Sequence, residues 1–163
     1  MSPMSKAFAS FAAIAALSSP VAAQGLVTQR NIPLAMAQTI ANAALAQCES
    51  MGFKVSVAVV DRDGLPIVTI RGDGAGLHTP EGADRKAYTA RTFSRPSAEF
   101  AKRMLDDPAS VGSRQYTRVL AIGGGLPVKS GSEVVGAVGV SGSPGKDDVC
   151  SQAGIDKVAD QLK

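Results

Sequence analysis

The chain has 163 residues, of which 45% are apolar and only 4% aromatic, with seventeen Lys and Arg against fourteen Asp and Glu. That length suits one domain with a real core. The slight, scattered excess of positive charge, with two Tyr and no Trp, provides neither the basic face nor the stacking platform that nucleic-acid binding needs.

Met1 to Ala23 has the parts of an export signal. Lys6 supplies the charge, Ala7 to Leu17 forms an apolar run, and Val21-Ala22-Ala23 offers small residues to a signal peptidase. The run is too short for the roughly 20 residues of a bilayer span, and no later segment reads as one. Cleavage after Ala23 is therefore expected, leaving residues 24–163 as one mature domain, periplasmic or secreted from a bacterium. Such compartments permit oxidation, so Cys48 and Cys150, the two cysteines, are expected to form a disulfide.

From Leu34 to Met51, Ala37, Ala41, Ala44, Cys48 and Met51 recur at spacings of three and four, the pattern of one helix face. Pro33 suits the helix start and Gly52 its end. Lys54 to Asp61 reads as a strand with Val55, Val57 and Val59 on one face. Asp61-Arg62-Asp63-Gly64 turns the chain, and Pro66 to Arg71 returns as the second arm of a hairpin. A glycine-rich loop, Gly72 to Gly76, leads to Thr79-Pro80-Glu81, where Thr79 is placed to cap a helix running to about Phe93. A short helix is expected over Ser97 to Met104, with an irregular stretch from Asp106 onward.

Three further strands are expected at Val119–Ile122, Leu126–Lys129 and Glu133–Ser141, the first two joined by a turn at Gly123-Gly124-Gly125. In the last strand Val134, Val138 and Val140 point one way. Val135, Ala137, Gly139 and Ser141 point the other and are mostly small, which leaves room for a helix backbone or a ligand. Asp147 to Lys163 closes the chain as a helix. Short turns between neighbouring strands imply antiparallel pairing, so the expected fold is α+β, a single antiparallel sheet of about five strands with flanking helices. Cys48 late in the first helix and Cys150 early in the last would staple the two together.

Several catalytic templates fail at a residue their chemistry needs. Gly123 to Ser130 resembles a phosphate loop, but Val128 stands where glycine must precede the lysine. Gly139-Val140-Ser141-Gly142-Ser143 ends in Ser where a nucleophile elbow has Gly. Asp61-Arg62-Asp63-Gly64 lacks the later oxygen donors of a calcium loop. His78 is the only histidine; it reads either as an exposed loop residue or as a ligand contact at a flexible mouth. For Lys86, Tyr88 and Thr89, periodicity alone gives a solvated helix with Tyr88 partly buried.

Taken in order, Val55-Ser56-Val57-Ala58-Val59-Val60-Asp61, Lys86-Ala87-Tyr88-Thr89-Ala90, Gly123-Gly124-Gly125-Leu126-Pro127-Val128 and Val134-Val135-Gly136-Ala137-Val138-Gly139-Val140-Ser141-Gly142 resemble the GlcG/HbpS family over nearly the whole mature chain. The resemblance implies a profilin-like α/β sandwich, homo-oligomers and, in several members, binding of haem or a related tetrapyrrole. On that reading Arg85 and Lys86 would meet haem propionates, Tyr88 and Thr89 would bind the ligand, and His78 is the best iron donor by chemistry, with Tyr88, Tyr116, Thr89 and the methionines behind it. The stretch from His78 to Arg85 is less aliphatic than is common in the family, so His78 as iron ligand rests on its imidazole and not on the motif. The leading expectation is an exported haem- or tetrapyrrole-binding protein serving buffering, sensing or uptake. Two others stand beside it: an enzyme on a small organic substrate using Lys86 or His78 as acid or base, and an oligomeric binding module without haem.

Overall fold

The small residues spaced along the first helical segment are buried together in α1, Leu34–Ser50, of the structure, a computed structural model that describes residues 25–163. The expected export signal lies outside those residues. A hairpin of β1 (Ser56–Val60) and β2 (Pro66–Arg71) follows. Asp61 closes its turn by accepting bonds from the Asp63 and Leu65 amides, both at 2.8 Å. Then come α2 (Thr79–Phe93), α3 (Ser97–Asp106), a 3-10 segment at Pro108–Gln115, β3 (Gly125–Ser130), β4 (Glu133–Ser141), α4 (Asp147–Asp156) and a last 3-10 turn. Among the described residues no helix is long and apolar enough to cross a membrane.

The sheet has the order β2-β1-β4-β3, antiparallel throughout, and helices cover both faces. Val57 and Val59 of β1 and Val138 and Val140 of β4 pack with Ile40, Ala41, Ala44 and Cys48 of α1 and Cys150 of α4. Each valine so buried stabilises the fold by about 1.5–3 kcal/mol. Against the other face, Ala87 and Ala90 of α2 meet Val60 and Ala137.

The expected architecture holds, with four strands where about five were expected. Val119–Ile122 is not a strand. The Val119 amide turns back to Tyr116, the Leu120 amide donates to the Thr89 hydroxyl at 2.8 Å, and the Ile122 carbonyl accepts from Ser97 Oγ at 2.6 Å. Helix side chains thus satisfy backbone groups that a neighbouring strand would otherwise have paired. Three smaller differences follow from local geometry. The β3–β4 register shifts between Val128 and Lys129, a bulge that puts Val135 in the buried cluster of Val138 and Val140 instead of on the α2 side. Thr79 does not cap α2; its hydroxyl donates to the Gly76 carbonyl at 2.7 Å and pairs with Ser56 Oγ at 2.8 Å. And α4 ends at Asp156.

Glycine decides how closely α2 and α4 approach their neighbours. A methyl on Gly139 would lie 2.2 Å from the Ala83 carbonyl oxygen, and one on Gly125 only 2.1 Å from that of Lys86. These contacts are with helix backbone, which cannot rotate away. On the other face a methyl on Gly154 of α4 would meet the Ile40 carbonyl of α1 at 2.6 Å. There α1 and α4 are also joined by Cys48 and Cys150, whose Cα atoms are 5.5 Å apart and whose sulfurs are bonded at 2.01 Å.

Gly139→Ala is expected to cost about 2–3 kcal/mol, the upper range for overpacking a tight contact. Gly112→Ala, at a position with open space around it, should change stability by no more than about 0.5 kcal/mol; urea unfolding of the two variants measures the difference. A disulfide closing a loop of about 100 residues stabilises by roughly 4–5 kcal/mol in the chain-entropy account. Adding reductant should therefore lower the urea midpoint sharply, and a thiol count on the denatured, unreduced protein should find none.

Candidate functional site

Because Gly139 brings α2 down onto β4, the first turns of α2, the end of β4 and the start of α4 diverge around a hollow of about 820 Å³. Gly76, Gly82, Gly142 and Gly145 expose main chain along it, while Leu120, Ile122 and Pro144 supply apolar surface. Ligand sites typically enclose about 300–1,000 Å³ with mostly apolar walls and a few placed polar groups. Among the described residues no cluster of three or more His, Cys, Asp or Glu side chains could hold a metal ion.

Lys86 forms part of the hollow's wall, yet it is 4% exposed, so the solvated-helix reading fails there. Its ammonium donates to Asp147 Oδ2 at 2.7 Å and to the Val140 carbonyl at 3.1 Å. Asp147 Oδ1 in turn accepts from the Ser143 amide at 2.9 Å and the Ser143 hydroxyl at 2.7 Å. Both buried charges are therefore paired and hydrogen-bonded, the condition under which burial is tolerated. The chain of contacts continues inward, with Ser143 Oγ lying 3.2 Å from Cys48 Sγ. Gly124, at φ 119°, makes room for it, since a methyl there would strike the Val140 carbonyl, the Asp147 side chain and the Lys86 stem.

His78 also lines the hollow. It precedes α2 at the exposed mouth, and its ring lies over Gly76, where a methyl would approach Cε1 to 3.0 Å. Neither ring nitrogen has a hydrogen-bond partner among the described residues. Arg85 reaches the hollow while donating to Glu81 Oε1 and to the Val119 carbonyl, each at 3.0 Å. Its Nε is buried without a partner among the described residues.

Tyr88 and Thr89 do not line the hollow. The Tyr88 ring packs on the cluster of Phe100, Met104 and Val119, beneath the Arg118 guanidinium at 4.2 Å. Thr89 is buried, donating to the Arg85 carbonyl and accepting from Leu120. The sequence-predicted set thus divides: His78, Arg85 and Lys86 come together, while Tyr88 and Thr89 support α3 and the segment before β3. Asp147, Asp148 and Lys54, also in the wall, escaped the sequence reading. The two aspartates look like ordinary first-turn acids of a helix, and nothing local links Asp147 to a lysine 61 positions earlier.

A family profile described as "Haem degrading protein HbpS-like" matches residues 32–156, which contain the sheet, α1 to α4 and the hollow. The chain is 34% identical to an uncharacterized 15.0 kDa protein in the dhaT-dhaS intergenic region of Citrobacter freundii, over 72% of this chain and 84% of that protein. Among solved structures, a double mutant of Streptomyces reticuli HbpS superposes with a TM-score of 0.77 at 39% identity, covering 85% of this chain and 96% of the other. The PduOC:heme complex superposes at 0.69 with 25% identity, covering 77% and 93%. With a profile match spanning most of its length and that agreement in fold, the chain belongs to the HbpS-like family.

Proposed function

We propose that this chain is an exported haem- or tetrapyrrole-binding protein and that the hollow beside α2 receives the macrocycle. The observation that carries this reading is a roomy, largely apolar hollow with one imidazole at its mouth whose ring nitrogens are unengaged. Among the described residues no side-chain cluster is built to hold a bare ion, whereas haem brings its iron already chelated and asks the protein only for a further donor. Histidine suits that role. Haem bound here would supply an iron centre able to take part in redox and ligand-exchange chemistry. The chain's own residues would accept the flat ring against exposed glycine backbone, cover it with Leu120 and Ile122, and hold it through the His78 imidazole.

Relatives support the choice of ligand, since a haem complex is among the similar structures and the family description names haem. Export rests on the features of residues 1–23 and agrees with a paired Cys48 and Cys150. Homo-oligomer formation belongs to the same reading, with Leu77, between the lining residues Gly76 and His78, exposed as apolar surface for a second copy to cover. Lys86 has its ammonium committed to Asp147 and Val140, so its part is to hold the wall in shape, and buffering or delivery fits better than proton transfer by Lys86.

Titrating the mature protein with micromolar hemin should give a saturable Soret shift; its absence would overturn the haem reading. His78→Ala should move that band and weaken binding by more than about tenfold, an effect of roughly 1.4 kcal/mol or more, and an unchanged spectrum would clear His78. Lys86→Met should act on the fold instead. It leaves the Asp147 carboxylate buried without its counter-charge, at a cost of about 3–5 kcal/mol, while the Soret position of protein that remains folded should not move.

A further inference from the structure

Charge is distributed unevenly around the hollow. On the α4 side stand Asp147 and Asp148, the latter accepting from the Gly124 amide at 2.8 Å. Lys86 is neutralised by Asp147, and Arg85 is shared with Glu81. Lys54, on the rim just before β1, is different. It is exposed, lines the hollow and enters no ion pair among the described residues.

The backbone of Lys54 is nevertheless packed closely against the end of β4. Its carbonyl backs onto Gly142, where at φ 127° a methyl would come within 2.6 Å of it. Its stem lies over Gly74 at φ 73°, where a methyl would meet Cδ at 2.9 Å and Nζ at 3.0 Å. The loop whose Gly74 lies under the Lys54 stem goes on to place Gly76 under the His78 ring, so one short segment runs beneath both the unpaired cation and the unengaged imidazole.

We propose that Lys54, and not Lys86, is the residue that recognises a carboxylate on the ligand, so that the hollow selects planar ligands with an acidic edge and orients that edge toward the β1 rim. The proposal rests on the tetrapyrrole reading above. Repulsion from Asp148, which no cation compensates among the described residues, works in the same direction, because a carboxylate turned toward α4 would face like charge. An ammonium on a flexible stem can meet a carboxylate at the hollow's edge while staying partly hydrated, which limits the desolvation cost of pairing.

The test compares hemin with hemin dimethyl ester, which keeps the ring and iron but lacks the carboxylates, on the mature wild-type protein, Lys54→Met and Lys54→Arg. Lys54→Met should weaken hemin about 3- to 10-fold and leave the ester unchanged, and Lys54→Arg should restore most of the loss. Added salt should weaken hemin binding to the wild type more than to Lys54→Met. Equal weakening of both ligands, or hemin affinity that ignores the substitution, would overturn the assignment while leaving the haem reading in place. If neither ligand binds the wild type, the haem reading falls and this inference with it.

Discussion

Gly125 and Gly139 stand where the backbone of α2 presses on β3 and β4, and everything at the site follows from that approach. With a side chain at either position the Lys86 or Ala83 carbonyl would be struck, so α2 would have to ride farther from the sheet. Lys86 could not then reach Asp147 across the first turn of α4, and Gly82 could not sit against Ser141. The hollow opens where this contact ends, at the N-terminal turns of α2, because β4 runs out at Ser141 while the helix continues past it. Glycine is costly in a strand interior, where it loses more backbone entropy than other residues. Here that cost is offset by a helix seated directly on the sheet.

The wall and the core share one polar thread. Lys86, Asp147, Ser143 and the sulfur of Cys48 follow one another at 2.7, 2.7 and 3.2 Å, passing from the hollow to the bond that joins α1 and α4. Every member is buried and partnered, and a fully satisfied polar network of this kind holds its groups in one arrangement. The lysine of the Lys86-Ala87-Tyr88-Thr89-Ala90 motif thus shapes the site through its neighbour on α4.

Local pattern made much of the fold legible in the sequence. The alanine-rich face of α1, the valine alternation of β1, and the turns at Asp61 and Gly131 each reflect contacts a few residues apart or a single periodicity, and the structure reproduces them. What escaped were features set by contacts between distant segments. Val119–Ile122 has the composition of a strand, but Thr89 and Ser97 take up its backbone groups. Val135 changes sides through a bulge that no alternation rule contains. The three glycines at 123–125 read as a turn, yet Gly124 and Gly125 are needed because the chain is threaded between α2 and α4. At the site, His78 was visible because a lone histidine after a glycine-rich loop is chemically conspicuous. Lys54 was not, because its lack of a partner is a fact of three-dimensional arrangement.

This contrast bears on how a residue's role is read from its type. Arg85, Lys86 and Lys54 are all basic and all border the same hollow, and by residue type any of them could serve an anionic ligand. Their surroundings separate them. Lys86 is nearly inaccessible and already paired, and Arg85 divides its donors between Glu81 and a main-chain carbonyl. A charge that is already compensated gives little further attraction to an incoming anion, since its field is largely cancelled within a few ångströms. The exposed Lys54, which no carboxylate has claimed among the described residues, is the one whose field is left for an incoming anion. The structural charges build the hollow, and the unpaired one at its rim is left to choose what enters.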